Sequence, residues 1–180
     1  MAQASTISPN DHLEYMRLAL SEAKKSPPKP TNFCVGAVLL DADTNTILAT
    51  GYTLELPGNT HAEQCCLLKI AEAHGLPEER AFEVLPVNTA IYTTMEPCAQ
   101  RSPGNAPCVN RILHTKAAAE ENGKGNGIAK VYVGVSEPEK FVGANRGRTM
   151  LEEKGIHYVY VPGLEDEILK VATAGHKKDS

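Results

Sequence analysis

Apolar positions repeat with two different periods along this chain, and the changes of period mark its elements. Over 11–25, Leu13, Met16, Leu18 and Ala19 follow helical spacing in part and predict a helix. Asn10 or Asp11 stands where a cap belongs, and Pro27-Pro28 stops the pattern. Residues 33–40 form a short apolar run of the length of a buried strand. The polar stretch 41–45 reads as a turn, and 47–53 as the second strand of a hairpin. Over 60–74, Cys66, Leu67, Ile70 and Ala71 form a helical stripe that ends at Gly75, and Thr60-x-x-Glu63 fits a capping box. A strand is expected over 89–95, then a loop rich in Pro and Gly, then a helix over about 108–119. After a polar, glycine-rich connection at 120–127, the pattern gives a strand at 130–135 and a helix at 146–154 ending at Gly155. A strand at 157–161 and a last helix at 164–174 follow, with the tail from Gly175 expected to fray. Strands and helices alternate after the first hairpin. This predicts an α/β fold, a three-layer α-β-α sandwich around a mixed central sheet.

Composition narrows the picture. The chain has 180 residues, enough for one domain with a proper core, and the pattern assigns 1–180 to a single domain with its core over about 10–175. Apolar content of 42% and charged content of 22% are those of a globular protein. A net charge of −4 and a pI near 5.9 argue against a nucleic-acid partner, which asks for a basic face. No 18-residue apolar run predicts a membrane span. The polar start over 1–10 lacks the apolar stretch of a secretory signal. Five cysteines, an odd number without small-scaffold spacing, suggest reduced thiols and hence the cytoplasm or the nucleus.

Chemistry is concentrated in His61-Ala62-Glu63, Pro97-Cys98 and Pro107-Cys108. One imidazole, two thiolates and a spare carboxylate are the parts of a hydrolytic zinc site: three protein ligands, an open fourth position for water, and a proton carrier. His61 would enter at the first turn of its helix, Cys98 after a strand, and Cys108 at the start of the next helix. The positive end of a helix favours thiolate over thiol. Glu63 lies near His61 without sharing its direction around the helix, so it can carry a proton from water to a leaving amine. The competing reading makes Glu63 only a capping-box partner of Thr60. Cys65 and Cys66 could complete a closed structural zinc, but their apolar stripe points to core packing, and Cys34 reads as a buried strand residue.

These residues resemble the cytidine-deaminase-like superfamily, whose nucleobase deaminases carry H-x-E followed by P-C-x-x-C. Here the two cysteines are separated by nine residues instead of two. The stretch from Tyr92 through Glu96-Pro97-Cys98, the long loop, and Cys108-Val109-Asn110-Arg111-Ile112 resemble riboflavin-pathway pyrimidine deaminases. Asn32-Phe33-Cys34-Val35-Gly36 stands where bacterial relatives have N-P-x-V-G, and Val135-Ser136-Glu137-Pro138, Gly155-Ile156 and Pro162-Gly163 are most similar to the fungal enzyme. The resemblance implies a zinc cofactor on His61, Cys98 and Cys108, with Glu63 catalytic. It implies hydrolysis at C2 of 2,5-diamino-6-ribitylamino-4(3H)-pyrimidinone 5′-phosphate, giving 5-amino-6-ribitylamino-2,4(1H,3H)-pyrimidinedione 5′-phosphate and ammonia. Asn32 is then the expected contact to the pyrimidine and Arg101 to the phosphate. Asn105 is a further substrate contact, standing where bacterial relatives place a Lys or Arg. Leu54 occupies the place of a bacterial His. Gly123-Lys124-Gly125-Asn126-Gly127 reads as a connection, and Asn145-Arg146-Gly147-Arg148 as a second basic candidate. The chain is too short for the reductase domain of the bacterial enzymes, which fits the fungal arrangement, and a homodimer paired through helices is implied. Two alternatives stand beside this reading: a deaminase of cytosine, guanine, a nucleoside or adenosine in transfer RNA, and a deaminase-like scaffold whose zinc is structural.

Overall fold

In chain order the elements are β1 (Gln3–Ala4), α1 (His12–Ala23), β2 (Gly36–Asp41), β3 (Thr46–Tyr52) and α2 (Ala62–Ala73). A 3₁₀ turn (Glu78–Glu83) follows, then β4 (Thr89–Met95), α3 (Cys108–Glu121), β5 (Ile128–Val135), α4 (Gly147–Glu153), β6 (His157–Tyr160) and α5 (Glu165–Ala172). This computed structural model describes residues 2–125, 127–138 and 146–177. Asn126 and Asn145, two of the candidates above, lie outside them.

The strands make one six-stranded sheet in the order β1-β3-β2-β4-β5-β6. β1, β3, β2 and β4 are antiparallel neighbours, whereas β5 and β6 run parallel to β4. The sheet is therefore mixed. β2 and β3 form a hairpin, whereas helices connect β1 to β2, β3 to β4 and the parallel strands β4, β5 and β6.

Period-two alternation sends the two faces of the central strands into two cores. Val38, Leu40, Ala90, Tyr92 and Tyr132 pack under α1 and α5 with Tyr15, Met16, Leu164 and Ile168. Ala37, Leu39, Ile91, Val131 and Val133 pack under α2, α3 and α4 with Cys66, Leu67, Ile112 and Leu151. The chain is thus the three-layer α-β-α sandwich that the pattern predicts. Gly51 of β3 sets how closely α2 lies on the sheet: a Cβ there would sit 2.3 Å from the Ala62 carbonyl oxygen and 3.0 Å from Cys65 Cβ.

Three local expectations need correction. The apolar run at 33–40 becomes a strand only from Gly36: Phe33 and Val35 line a pocket, and the Cys34 N–H bonds the Ala172 carbonyl outside the sheet. The box at Thr60 and Glu63 does not form. The cap of α2 is His61, whose backbone N–H donates to Gln64 Oε1 at 3.4 Å, while the Thr60 hydroxyl donates to the Leu56 carbonyl. The tail is tied down past Gly175, since His176 is bonded to Asn32. β1 and the 3₁₀ turn carried no legible periodicity, being short segments stabilised by their neighbours.

Candidate active site

Parallel strands β4 and β5 end on the same side of the sheet, and open α/β sheets bind ligands off these carboxyl ends. Beyond β4 the chain runs through Glu96 and Pro97 to Cys98, and α3 opens at Cys108. The Cys108 backbone N–H points at Cys98 Sγ, 3.4 Å away, and the Val109 N–H donates to the Cys98 carbonyl at 3.1 Å. The amino end of α3 thus grips Cys98 although nine residues separate the two cysteines. The amino end of α2 brings in His61 from the other side.

His61 Nδ1 lies 3.5 Å from Cys98 Sγ and 3.6 Å from Cys108 Sγ. All three donor atoms fall within 4.8 Å of one another. Zinc bonds of about 2.3 Å to sulfur and about 2.0–2.1 Å to nitrogen, at tetrahedral angles, place N···S edges at about 3.6 Å. The donor set fits zinc in both chemistry and spacing. Hydrogen bonding from Cys108, with further help from His61, holds the Cys98 thiol down to about 4, so it is a thiolate at neutral pH. The hydrogen bond with Cys98 and burial push the Cys108 thiol the other way.

Glu63 is 3% exposed, and its Oε1 lies 3.2 Å from Thr93 Oγ1. The Thr93 hydroxyl also donates to the Met95 carbonyl at 2.7 Å. With that proton committed to Met95, the Thr93 oxygen can accept from a protonated Glu63; turned the other way, it donates to the carboxylate. Burial, reinforced by the Cys98 charge, raises Glu63 above the usual carboxylate range.

These groups open into a cavity of about 310 Å³. His61, Glu63 and Cys98 form its floor, and Asn32, Phe33, Met95, Glu96, Glu137 and His176 contribute to its walls. Glu96 braces the rim by accepting from the Glu137 N–H at 2.7 Å and from the Tyr158 hydroxyl at 3.1 Å. Burial, with the charges of Cys98, Glu96 and Glu63, lifts the Glu137 carboxyl to about 7.

The structure brings His61, Glu63, Cys98, Cys108 and Asn32 together. Arg101 reaches back over the start of α2, donating to Gln64 Oε1 at 3.1 Å and to the Asn59 carbonyl, beside the cavity and not in its lining. Asn105 is exposed on a turn closed by its own N–H to the Ser102 carbonyl. Arg148 pairs with Glu152 at 3.0 Å and lies 5.1 Å over the Tyr158 ring, away from the lining. Cys34, Cys65 and Cys66 are buried with free thiols, Cys65 and Cys66 facing backbone carbonyls of the sheet. Sequence reading missed Thr93, Glu137 and His176. A strand threonine, a glutamate past a strand and a histidine near the end carry no local mark of a shared pocket.

The family profile described as the cytidine and deoxycytidylate deaminase zinc-binding region matches residues 9–120. The diaminohydroxyphosphoribosylamino-pyrimidine deaminase of Schizosaccharomyces pombe is 34% identical over 170 residues. That match takes in 94% of this chain, which spans 37% of the length of the yeast protein. A C-terminal deletion mutant of Aspergillus oryzae Rib2 deaminase at pH 4.6 superposes with a TM-score of 0.84 at 49% identity, covering 95% of this chain and 94% of that one. The same enzyme in complex with DARIPP gives a TM-score of 0.81 at 47% identity, covering 94% and 93%. With its ligand triad and Glu63 in place, the chain belongs to the cytidine and deoxycytidylate deaminase family, and within it to the branch of the Rib2 deaminases.

Proposed function

We propose that this chain hydrolyses the C2 amino group of 2,5-diamino-6-ribitylamino-4(3H)-pyrimidinone 5′-phosphate, a step of riboflavin biosynthesis, and releases ammonia. The observation that carries the reading is the convergence of Glu63 and the His61–Cys98–Cys108 triad on one cavity large enough for a pyrimidine ring. Support for this substrate comes from the DARIPP complex of the Rib2 deaminase, which is similar to 94% of this chain.

His61, Cys98 and Cys108 would hold zinc, which would supply the Lewis acidity that makes water nucleophilic near neutral pH. The protein's own residues do the remainder. Glu63 Oε takes the proton from water and returns it to the departing nitrogen, since an amine leaves readily only when protonated. Thr93 keeps that carboxyl aimed at the floor in both protonation states. Asn32 offers the base an amide edge that both donates and accepts. Arg101, with its guanidinium fixed by Gln64 and Asn59, is the partner assigned to the phosphate, and Asn105 lies farther out along the same loop. We read the chain as a homodimer, a point that light scattering measures directly. Its five free cysteines support a reducing compartment, cytoplasm or nucleus. Among the described residues no helix is long and apolar enough to cross a membrane.

Ammonia release tests the assignment. The zinc-loaded protein is offered the ribitylamino compound, its unreduced ribosylamino form, cytosine, cytidine and guanine. Turnover of the ribitylamino compound alone is the expected result. Turnover of a free base or nucleoside in its place would keep the zinc chemistry and overturn the substrate.

A further inference from the structure

The segment that follows α5 is built into the wall of the candidate active site. Past α5 the backbone turns through Thr173 and comes back over residues 29–34, the segment that carries Asn32. Three contacts fasten the two strips together. The Cys34 N–H donates to the Ala172 carbonyl at 3.0 Å. Gly175 lies so close to the backbone of Lys29 that a Cβ would meet its nitrogen at 2.3 Å. His176 Nε2 is 2.9 Å from the Asn32 carbonyl oxygen, and its ring sits 4.8 Å from that of Phe33. A carbonyl oxygen only accepts, so Nε2 carries the hydrogen and the imidazole is oriented by the loop it holds. Asn32, Phe33 and His176 all line the cavity above Glu63.

Phe33 packs against the core under α1 and α5, and the hydrogen bonds the loop makes to itself are long. Within it, the Asn32 N–H reaches the Lys29 carbonyl at 3.3 Å and the Thr31 hydroxyl reaches Asn32 Oδ1 at 3.4 Å, both long for hydrogen bonds. Residues 29–31 are exposed. A loop so weakly self-bonded is ordered by whatever packs on it. We propose that His176 is a positioning residue for substrate binding: it holds the Asn32–Phe33 wall at the spacing a pyrimidine requires. It acts through Asn32 and takes no part in proton transfer. The proposal rests on the deaminase reading for the presence of a pyrimidine in this cavity, but the ordering of the loop does not depend on which pyrimidine that is.

The test uses the zinc protein over residues 1–180 and three variants, His176→Ala, His176→Gln and Gly175→Ala. Hydrogen exchange is read on the peptide spanning 29–34, and steady-state kinetics on whichever pyrimidine of the panel above the parent turns over. His176→Ala removes the hydrogen bond and the ring. It should speed exchange in that peptide and raise KM about tenfold with kcat changed less than twofold. His176→Gln keeps an N–H donor and should restore most of the lost affinity. Gly175→Ala displaces the tail by contact alone and should raise KM in the same direction. Unchanged exchange in His176→Ala, or a lower kcat at unchanged KM, would overturn the proposal. A parent that turns over a different pyrimidine with the same variant pattern would correct the substrate and leave the role of His176 standing.

Discussion

Glu63 shows how one residue's task follows from its surroundings. Its carboxyl is buried, faces a metal-ligand set and has one hydroxyl neighbour that can either donate or accept. Glu63→Gln keeps the shape and the hydrogen-bond capacity but cannot shuttle a proton. We expect turnover to fall at least about 100-fold, with zinc content by metal analysis equal to that of the parent. Retained activity would remove Glu63 from the mechanism. A lost metal would show that its role is to hold the ligand shell. The sequence marked this residue through its distance of two from His61. It also offered a false capping partner, because Thr60-x-x-Glu63 and His61-x-x-Gln64 are offset by one position and only the tertiary fold selects the second.

At the scale of elements, the site depends on how three termini meet. The amino end of α2 presents His61, the end of β4 leads to Cys98, and the amino end of α3 presents Cys108 while its first N–H groups turn toward Cys98. Nine residues separate the cysteines, and the first N–H groups of α3 still bring the chain back onto Cys98. Gly51 fixes the depth of α2. Gly51→Ala would drive a methyl group into the Ala62 carbonyl, one residue from His61. We expect a stability loss of about 1–3 kcal/mol by denaturant unfolding and a fall in activity beyond what the remaining folded fraction explains. Loss of stability with full activity per folded molecule would mean that α2 shifts without carrying His61 out of the ligand set.

At the scale of the whole molecule, the two faces of the sheet have separate duties. Helices α2 and α3 carry the metal chemistry, whereas α1 and α5 cover a face where His12, Tyr132, Tyr92 and Tyr15 form an aromatic stack. His12 Nδ1 and the Tyr92 hydroxyl share a hydrogen bond of 2.8 Å. Burial lowers the His12 pKa, Lys130 adds to the effect and Asp11 opposes it. The unfolded chain therefore binds a proton at His12 more readily than the folded one. Above the unfolded value of about 6.5 this residue costs nothing, and as pH falls through that value folding loses stability. His12→Asn keeps a polar partner for Tyr92 without titrating. The stability advantage of the parent over this variant, from unfolding curves at pH 8 and pH 5, should shrink toward the acid. An advantage independent of pH would show that His12 does not titrate in this range.

What the sequence determined by itself was local or periodic. The order of apolar runs and breakers placed the strand at 89–95 to the residue and α1, α2 and α3 within a few positions, and metal-ligand types beside element ends named His61, Cys98, Cys108 and Glu63. Such signals survive in one dimension because each depends on neighbours within about one turn of helix or on a fixed ligand chemistry. Only the tertiary structure decided which further side chains share the cavity. Thr93 reaches Glu63 from a central strand, Glu137 from the end of the next one, and His176 reaches Asn32 across 144 positions. No period links such residues, because their meeting is set by the order of strands in the sheet and by where the last helix lies on it.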